Sequence, residues 1–98
     1  MDLKSFRHKG LKQFYEANMA KGIPGSMLRK LKHQLFALET ADSLMELEKF
    51  PGWRLHPLRG DLNGFWSMTV TGNWRLIFQY DARTNSASEI DLTDYHGK

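Results

Sequence analysis

The apolar residues of this chain keep two different rhythms, and the change between them at Phe50-Pro51-Gly52 limits its fold more than any other feature. Upstream they recur at helical spacing. Leu11, Phe14 and Tyr15 fall at i, i+3 and i+4, one face of a helix expected from Lys9 to Asn18. Lys21-Gly22-Ile23-Pro24-Gly25 interrupts the pattern as a loop, with Pro24 or Ser26 suited to open the next helix. From Met27 to Glu39, Leu28, Leu31, Leu35 and Leu38 repeat at spacings of 3, 4 and 3, which leaves Arg29, Lys30, Lys32 and His33 mostly on the other faces. Thr40-Ala41-Asp42 breaks that helix. Ser43 with Glu46 then matches a capping box for a short helix that turns Leu44 and Leu47 inward.

Beyond Gly52 the period drops to 2, the sign of a sheet. Trp66, Met68 and Val70 share one face of a strand, and Trp74, Leu76, Phe78 and Tyr80 share one face of the next, across a tight turn at Thr71-Gly72-Asn73. The complementary face carries Ser67, Thr69, Arg75, Ile77 and Gln79; it is mixed in polarity and suited to a ligand. A polar loop from Asp81 to Ser86 precedes a last strand with Ile90 and Leu92 toward the core and Glu89 and Asp91 opposite. A weaker first strand is expected within Asp2 to Phe6. Helices followed by strands make the fold class α+β.

At 98 residues the chain fits one compact domain over 1–98 and leaves no room for a separate cofactor domain. It has no Cys, which removes disulfides, thiolate metal sites and Cys nucleophiles together. No apolar run approaches the ~20 residues of a bilayer span, and the N-terminus has no signal-peptide core, so a cytoplasmic protein without a membrane partner is expected. A net charge of +3 favours an anionic partner only mildly; where the charges sit matters more than their sum.

Three places carry side chains suited to chemistry. His56 lies in the turn Arg54-Leu55-His56-Pro57-Leu58-Arg59-Gly60-Asp61, where two Arg and a His suit a phosphodiester: Arg holds phosphate oxygens and His moves protons near neutral pH. A solvated turn whose His caps or packs accounts for the same residues. Alternation places Arg75 on the face opposite Trp74 and Leu76, either as a functional cation on a rigid strand or as the partner of Glu89 or Asp91 in a cross-strand ion pair. Asp94-Tyr95-His96 follows the last core strand with three groups able to handle protons, or it is a frayed tail. His8 and His33 lack metal-site spacing with each other or with His56 and His96, so neither a metal nor a cofactor is expected. No phosphate-cradling Gly loop, Gly-x-Ser-x-Gly elbow or His-Glu-x-x-His motif is present, which leaves nucleotide hydrolysis, esterase and metalloprotease readings without support. Trp53, Trp66 and Trp74 have the rings to stack bases, but Trp66 and Trp74 sit at strand spacing and read as core.

Taken together, the heptad Leu55 to Asp61, then Gly64-Phe65-Trp66-Ser67, Asn73-Trp74-Arg75-Leu76-Ile77-Phe78 and Asp94-Tyr95-His96 resemble the HigB toxins of bacterial toxin–antitoxin pairs, in the RelE/ParE superfamily. Lys4-Ser5-Phe6-Arg7-His8-Lys9-Gly10-Leu11 is similar to the start of such chains, so the likeness covers almost the whole length. The combined motif is specific, whereas any single piece is not.

The resemblance implies a small fold like that of microbial ribonucleases, with N-terminal helices packed on one side of a twisted, mostly antiparallel sheet. It implies metal-independent cleavage of messenger RNA in the A site of the small ribosomal subunit, and neutralisation by a HigA-like helix-turn-helix antitoxin, which alone touches operator DNA. The family's site pattern falls on His56, Arg59, Arg75, Asp94, Tyr95 and His96, with Arg54 and Asn73 toward the RNA. Arg59 stands where many relatives have Lys, Thr93 where Glu often precedes the Asp-Tyr-His, and Gly97-Lys98 follows the final His. Two rivals are a non-catalytic RNA- or ribosome-binding inhibitor and a degenerate toxin retained for operon regulation. Lys12, Lys30 and Lys32 either meet ribosomal RNA or form a solvated face.

Overall fold

A computed structural model, describing residues 1–94, carries the two rhythms into two layers. Its elements run β1 (Asp2–Leu3), α1 (Lys9–Ala17), α2 (Leu28–Thr40), β2 (His56–Pro57), β3 (Phe65–Thr71), β4 (Trp74–Asp81) and β5 (Ser86–Asp94). The sheet order is β1-β5-β4-β3-β2, with β1 parallel to β5 and every other pair antiparallel. This is the expected α+β arrangement.

Leu11 and Phe14 of α1 and Leu31, Leu35 and Leu38 of α2 bury against Met68, Val70, Leu76, Phe78, Ile90 and Leu92 of the sheet. Both helical stripes therefore face one side of the sheet, as the 3.6-residue period requires. Trp66, Trp74 and Tyr80 pack against this core but stay half-buried, because they lie toward the edges of the layer. Trp53 is buried and stacks on Phe50 with ring centroids 4.0 Å apart.

The ends of the helices are held by different devices. His8 caps α1, its Nδ1 accepting from the Leu11 amide at 2.9 Å, and Asn18 closes the helix in the left-handed conformation at φ 55°. At the end of α2 the Met1 ammonium donates to the carbonyls of Leu38, Glu39 and Ala41 at 3.0, 2.8 and 2.8 Å. A cation there satisfies orphan carbonyls and meets the negative end of the helix dipole. The capping box expected at Ser43 and Glu46 does not form. Ser43 is extended and its hydroxyl caps nothing, and Leu44–Lys49 is a 3-10 helix in which the Glu46 amide donates to the Ser43 carbonyl at 3.2 Å. Leu44 and Leu47 still face the core.

The first strand is shorter than Asp2 to Phe6. It ends at Leu3, and Phe6 returns as an isolated bridge to Ile90. A bulge in β5 accounts for the gap: Ile77 pairs with Asp91 but Gln79 with Ser88, and Glu89 takes the left-handed conformation at φ 53°. Ser5 fills that site, accepting from the Glu89 amide on its hydroxyl at 2.9 Å and from the Ile90 amide on its carbonyl at 3.0 Å.

One close approach sets how α1 meets the loop before α2. A Cβ built on Gly10 would lie 2.9 Å from the Cα of Gly22, so backbone packs on backbone with no flexible atom to yield. Gly10→Ala is expected to cost about 1–3 kcal/mol through overpacking. In a chain of this length that lowers the thermal midpoint by several degrees, which a melting curve followed by circular dichroism will read.

Candidate active site

The face of the sheet turned away from the helices is partly covered by the segment that follows β2. Residues pair across the strands as His56 with Ser67, Ser67 with Ile77 and Ile77 with Asp91, and in the next row as Thr69 with Arg75 and Arg75 with Thr93. Over these rows lies a hollow of about 170 Å³, with Ser67 and Ile77 as floor, Leu58 and Leu62 as wall, and His56, Arg75 and Thr93 around it. Ser67 is 2% and Ile77 3% exposed, so this face has a dry floor as well as polar edges.

Local backbone aims His56. Arg54 adopts φ 52° and ψ 50°, a left-handed conformation uncommon outside Gly, Asn and Asp. Its carbonyl accepts from His56 Nδ1 at 2.7 Å. A carbonyl can only accept, so this bond puts the proton on Nδ1 and leaves Nε2 of the neutral ring as a proton acceptor. The ring is exposed to solvent.

Arg75 is held from the hairpin. Its Nη1 donates to the Gly72 carbonyl at 2.8 Å and to the Trp74 carbonyl at 3.1 Å. Two-residue turns of this kind need a positive φ, which Gly72 supplies at 54°. The ion pair set against a functional reading of Arg75 takes other partners: Glu89 binds Arg7 at 3.0 Å, and Asp91 accepts from the Leu92 amide.

Sequence reasoning named further residues, and their positions differ. Arg59 is exposed and precedes the 3-10 turn Gly60–Leu62, two residues past β2. Asn73 is exposed in the hairpin turn, and the Arg54 side chain is exposed beside His56. Asp94 pairs with Trp74 at the exposed end of β5, next to Thr93. Tyr95 and His96 lie outside the described residues. The hollow is also lined by Thr93, Leu58 and Leu62, none of which the sequence marked as a site residue. Period-2 alternation had placed Ser67 and Ile77 on this face, whereas no periodic signal marks Leu58 and Leu62 within a turn.

Near this face, Glu89 is bound by two donors. Hydrogen bonds from Arg7 and Ser5 hold its carboxyl below the ordinary value of 4.5. The same Arg7 guanidinium lies 5.0 Å from the centre of the Phe65 ring. A depressed carboxyl favours the folded state above the unfolded pKa and loses that contribution as pH falls through the folded pKa. Urea midpoints measured from pH 6 down to 3 are therefore expected to fall more steeply for the native chain than for Glu89→Gln, which has no proton to take up there.

A second, larger hollow of about 560 Å³ lies on the helical side, lined by Tyr15 and Phe14 of α1 and by Arg29, Lys32, Phe36 and Glu39 of α2. Burial and a hydrogen bond to Glu39 push Tyr15 up to about 12. Lys12 and Lys32 are exposed and Lys30 is half-buried. Among the described residues no three His, Asp or Glu side chains converge as a metal site, and no helix is long and apolar enough to cross a membrane.

This sheet and its helices recur in solved bacterial proteins. A YoeB/ParE toxin from Agrobacterium tumefaciens superposes with a TM-score of 0.59, at 15% identity over 99% of this chain and 100% of its own. YafQ from Escherichia coli strain BL21(DE3) gives 0.60 at 17% identity, over 97% and 92% of the two chains. The chain therefore shares the fold of these two proteins.

Sequence narrows the class further. A family model for the RelE-like toxin HigB of type II toxin–antitoxin systems matches residues 4–96. An endoribonuclease HigB of Proteus vulgaris is 39% identical over 96% of this chain and 99% of its own length. Toxin HigB-1 of Vibrio cholerae serotype O1 is 38% identical over 76% of this chain and 80% of its own. The chain belongs to the HigB-like toxin family of type II toxin–antitoxin systems.

Proposed function

We propose that this chain is the toxin of a type II pair and acts as a metal-independent endoribonuclease, cutting messenger RNA in the ribosomal A site until a HigA-like antitoxin neutralises it. One observation carries the reading: His56, whose Nδ1 is bound to the Arg54 carbonyl so that Nε2 is the ring nitrogen left for proton transfer, borders the same hollow as Arg75, whose guanidinium the hairpin holds in place. The relative in Proteus vulgaris, named an endoribonuclease, supports the same class of activity.

In this reading the 2′-hydroxyl gives its proton to a base as its oxygen bonds to the adjacent phosphorus. The bond from phosphorus to the 5′-oxygen breaks, and an acid protonates that oxygen. The products are a 2′,3′-cyclic phosphate and a 5′-hydroxyl. His56 Nε2 is the base, and His96 supplies the acid. Arg75 and Arg59 stabilise the charged phosphorane, each such preorganised donor being typically worth ~10²–10³-fold. Tyr95 stacks on the nucleotide, Asp94 orients a neighbouring group or competes as base, and Arg54 and Asn73 meet the RNA.

Purified protein incubated with ribosomes programmed with a short message is expected to generate new 5′ ends within the A-site codon. A message carrying one 2′-deoxy nucleotide at the cut should resist, because the nucleophile is missing. Growth arrest without new 5′ ends would replace this reading with inhibition by occupancy. Absence of growth arrest would leave only a regulatory role in the operon.

A further inference from the structure

Gln34 is out of place by composition. It occupies a core position of α2, three residues after Leu31 and four before Leu38, and is 0% exposed; among the described residues only Ser67 and Ser86 are other buried polar side chains. Among the described residues its Oε1 has no hydrogen-bond partner, an unfavourable arrangement that an apolar residue of similar length would avoid. Its Nε2, however, donates to the Thr69 carbonyl at 2.8 Å, a bond between helix and strand across 35 residues of sequence.

Thr69 marks the start of an irregularity in β3. Thr69 pairs with Arg75, but the next pair is Thr71 with Trp74, so Val70 is an extra residue with no counterpart on β4. A bulge disturbs the ladder and re-aims the side chains beside it. The turn directly after it supplies the Gly72 and Trp74 carbonyls that receive the Arg75 guanidinium.

We propose that Gln34 is a positioning residue for Arg75: from the helical side it pins the Thr69 carbonyl at the β3 bulge, and so fixes the hairpin that aims the guanidinium over the opposite face. The claim deepens the ribonuclease reading and rests on it for its kinetic consequence. Gln34 itself touches no RNA. Geometric errors of about 1 Å at a group that binds transferring phosphate reach ~100-fold in rate.

The test uses Gln34→Met, which keeps length and volume but cannot donate, with Gln34→Leu as a second variant should the first fold poorly. Cleavage of programmed ribosomes is expected to slow about ten- to a hundredfold in kcat with KM nearly unchanged. In an Arg75→Lys background the same change should slow cleavage less than about twofold, since the aimed group is already gone. An equal factor in both backgrounds, or no loss in the native one, overturns the proposal. A readout independent of activity runs alongside: the Arg75 Nε–H signal in ¹⁵N spectra should shift and exchange faster with water in Gln34→Met, while amides of β1 and the β5 bulge hold still. An unmoved Arg75 signal overturns the proposal as well. If the native protein cuts no RNA, the ribonuclease reading fails and the spectra alone decide the role of Gln34.

Discussion

His56→Ala is expected to lower cleavage of ribosome-bound message by about 10²–10⁴-fold while leaving the thermal midpoint almost unchanged. The size of the first effect follows from what the ring does. With Nδ1 bound to the Arg54 carbonyl, Nε2 is left to accept a proton, and among the described residues that line the hollow no other side chain does so near neutral pH. The smallness of the second follows from exposure: a solvated side chain on a two-residue strand contributes within about 0.5 kcal/mol to stability. His33 gives the contrast. Its ring meets Phe50 and Trp53 edge-on at 5.6 and 5.3 Å and does not line the hollow, so His33→Ala should cost about 0.5–1.5 kcal/mol and keep full turnover. Single-turnover cleavage and melting curves on both variants separate the two roles. Turnover of His56→Ala within tenfold of the native chain would remove it as the base.

These consequences follow from the two faces of one sheet. The helical face is continuous core, from Leu11 through Leu31 to Phe78, and sets how stable the protein is. The other face has its own dry floor in Ser67 and Ile77, where a low local dielectric strengthens any charge interaction made above it. Substitutions on the first face are expected to act on folding, and substitutions around the hollow on turnover. Gln34 connects the two, because it is buried in one layer while its bond reaches the strand that carries the other.

Much of this was legible in residue spacing. The stripe Leu28, Leu31, Leu35, Leu38 fixed α2 to within one residue at each end, and alternation through Trp66 to Tyr80 fixed the hairpin and both of its faces. Other features answer to contacts distant in sequence. The left-handed Glu89 has no local cue; it is stable because Ser5 and Arg7, more than 80 residues away, bind its backbone and carboxylate. For the same reason the first strand read as longer than it is. The capping box at Ser43 and Glu46 had the right letters, but the tighter 3-10 turn supplied the bond from the backbone instead. At the candidate site, residue types in the Arg54 to Asp61 turn suggested chemistry. Only coordinates reveal which His56 nitrogen is free, and that Thr93 rather than Asp94 borders the hollow. The helical spacing did not single out Gln34, whose meaning depends on the bulge at Val70, which no local pattern announces.

Arg75→Lys is expected to reduce cleavage by about 10²–10³-fold despite conserving the charge, because loss of one preorganised donor to a developing oxyanion has that magnitude. The native guanidinium spends part of its fork on the hairpin, with Nη1 bonded to the Gly72 and Trp74 carbonyls, so the plane of the group is set before RNA arrives. A lysine ammonium is a single point on a flexible stem. It can satisfy the turn or reach toward phosphate, but it cannot do both as a rigid fork does. Arg75→Ala removes the charge as well and should be at least as slow. Loss of the bonds to the Gly72 and Trp74 carbonyls, one exposed and one part-buried, should lower stability by about 1 kcal/mol in either variant. Salt sensitivity discriminates further: with Lys the remaining interaction is a screened point charge, so between low and physiological ionic strength the Lys variant should lose proportionally more activity than the native chain. Retention of more than a third of native turnover by Arg75→Lys would show that charge alone suffices, and that the hairpin's hold on the guanidinium serves the fold rather than the reaction.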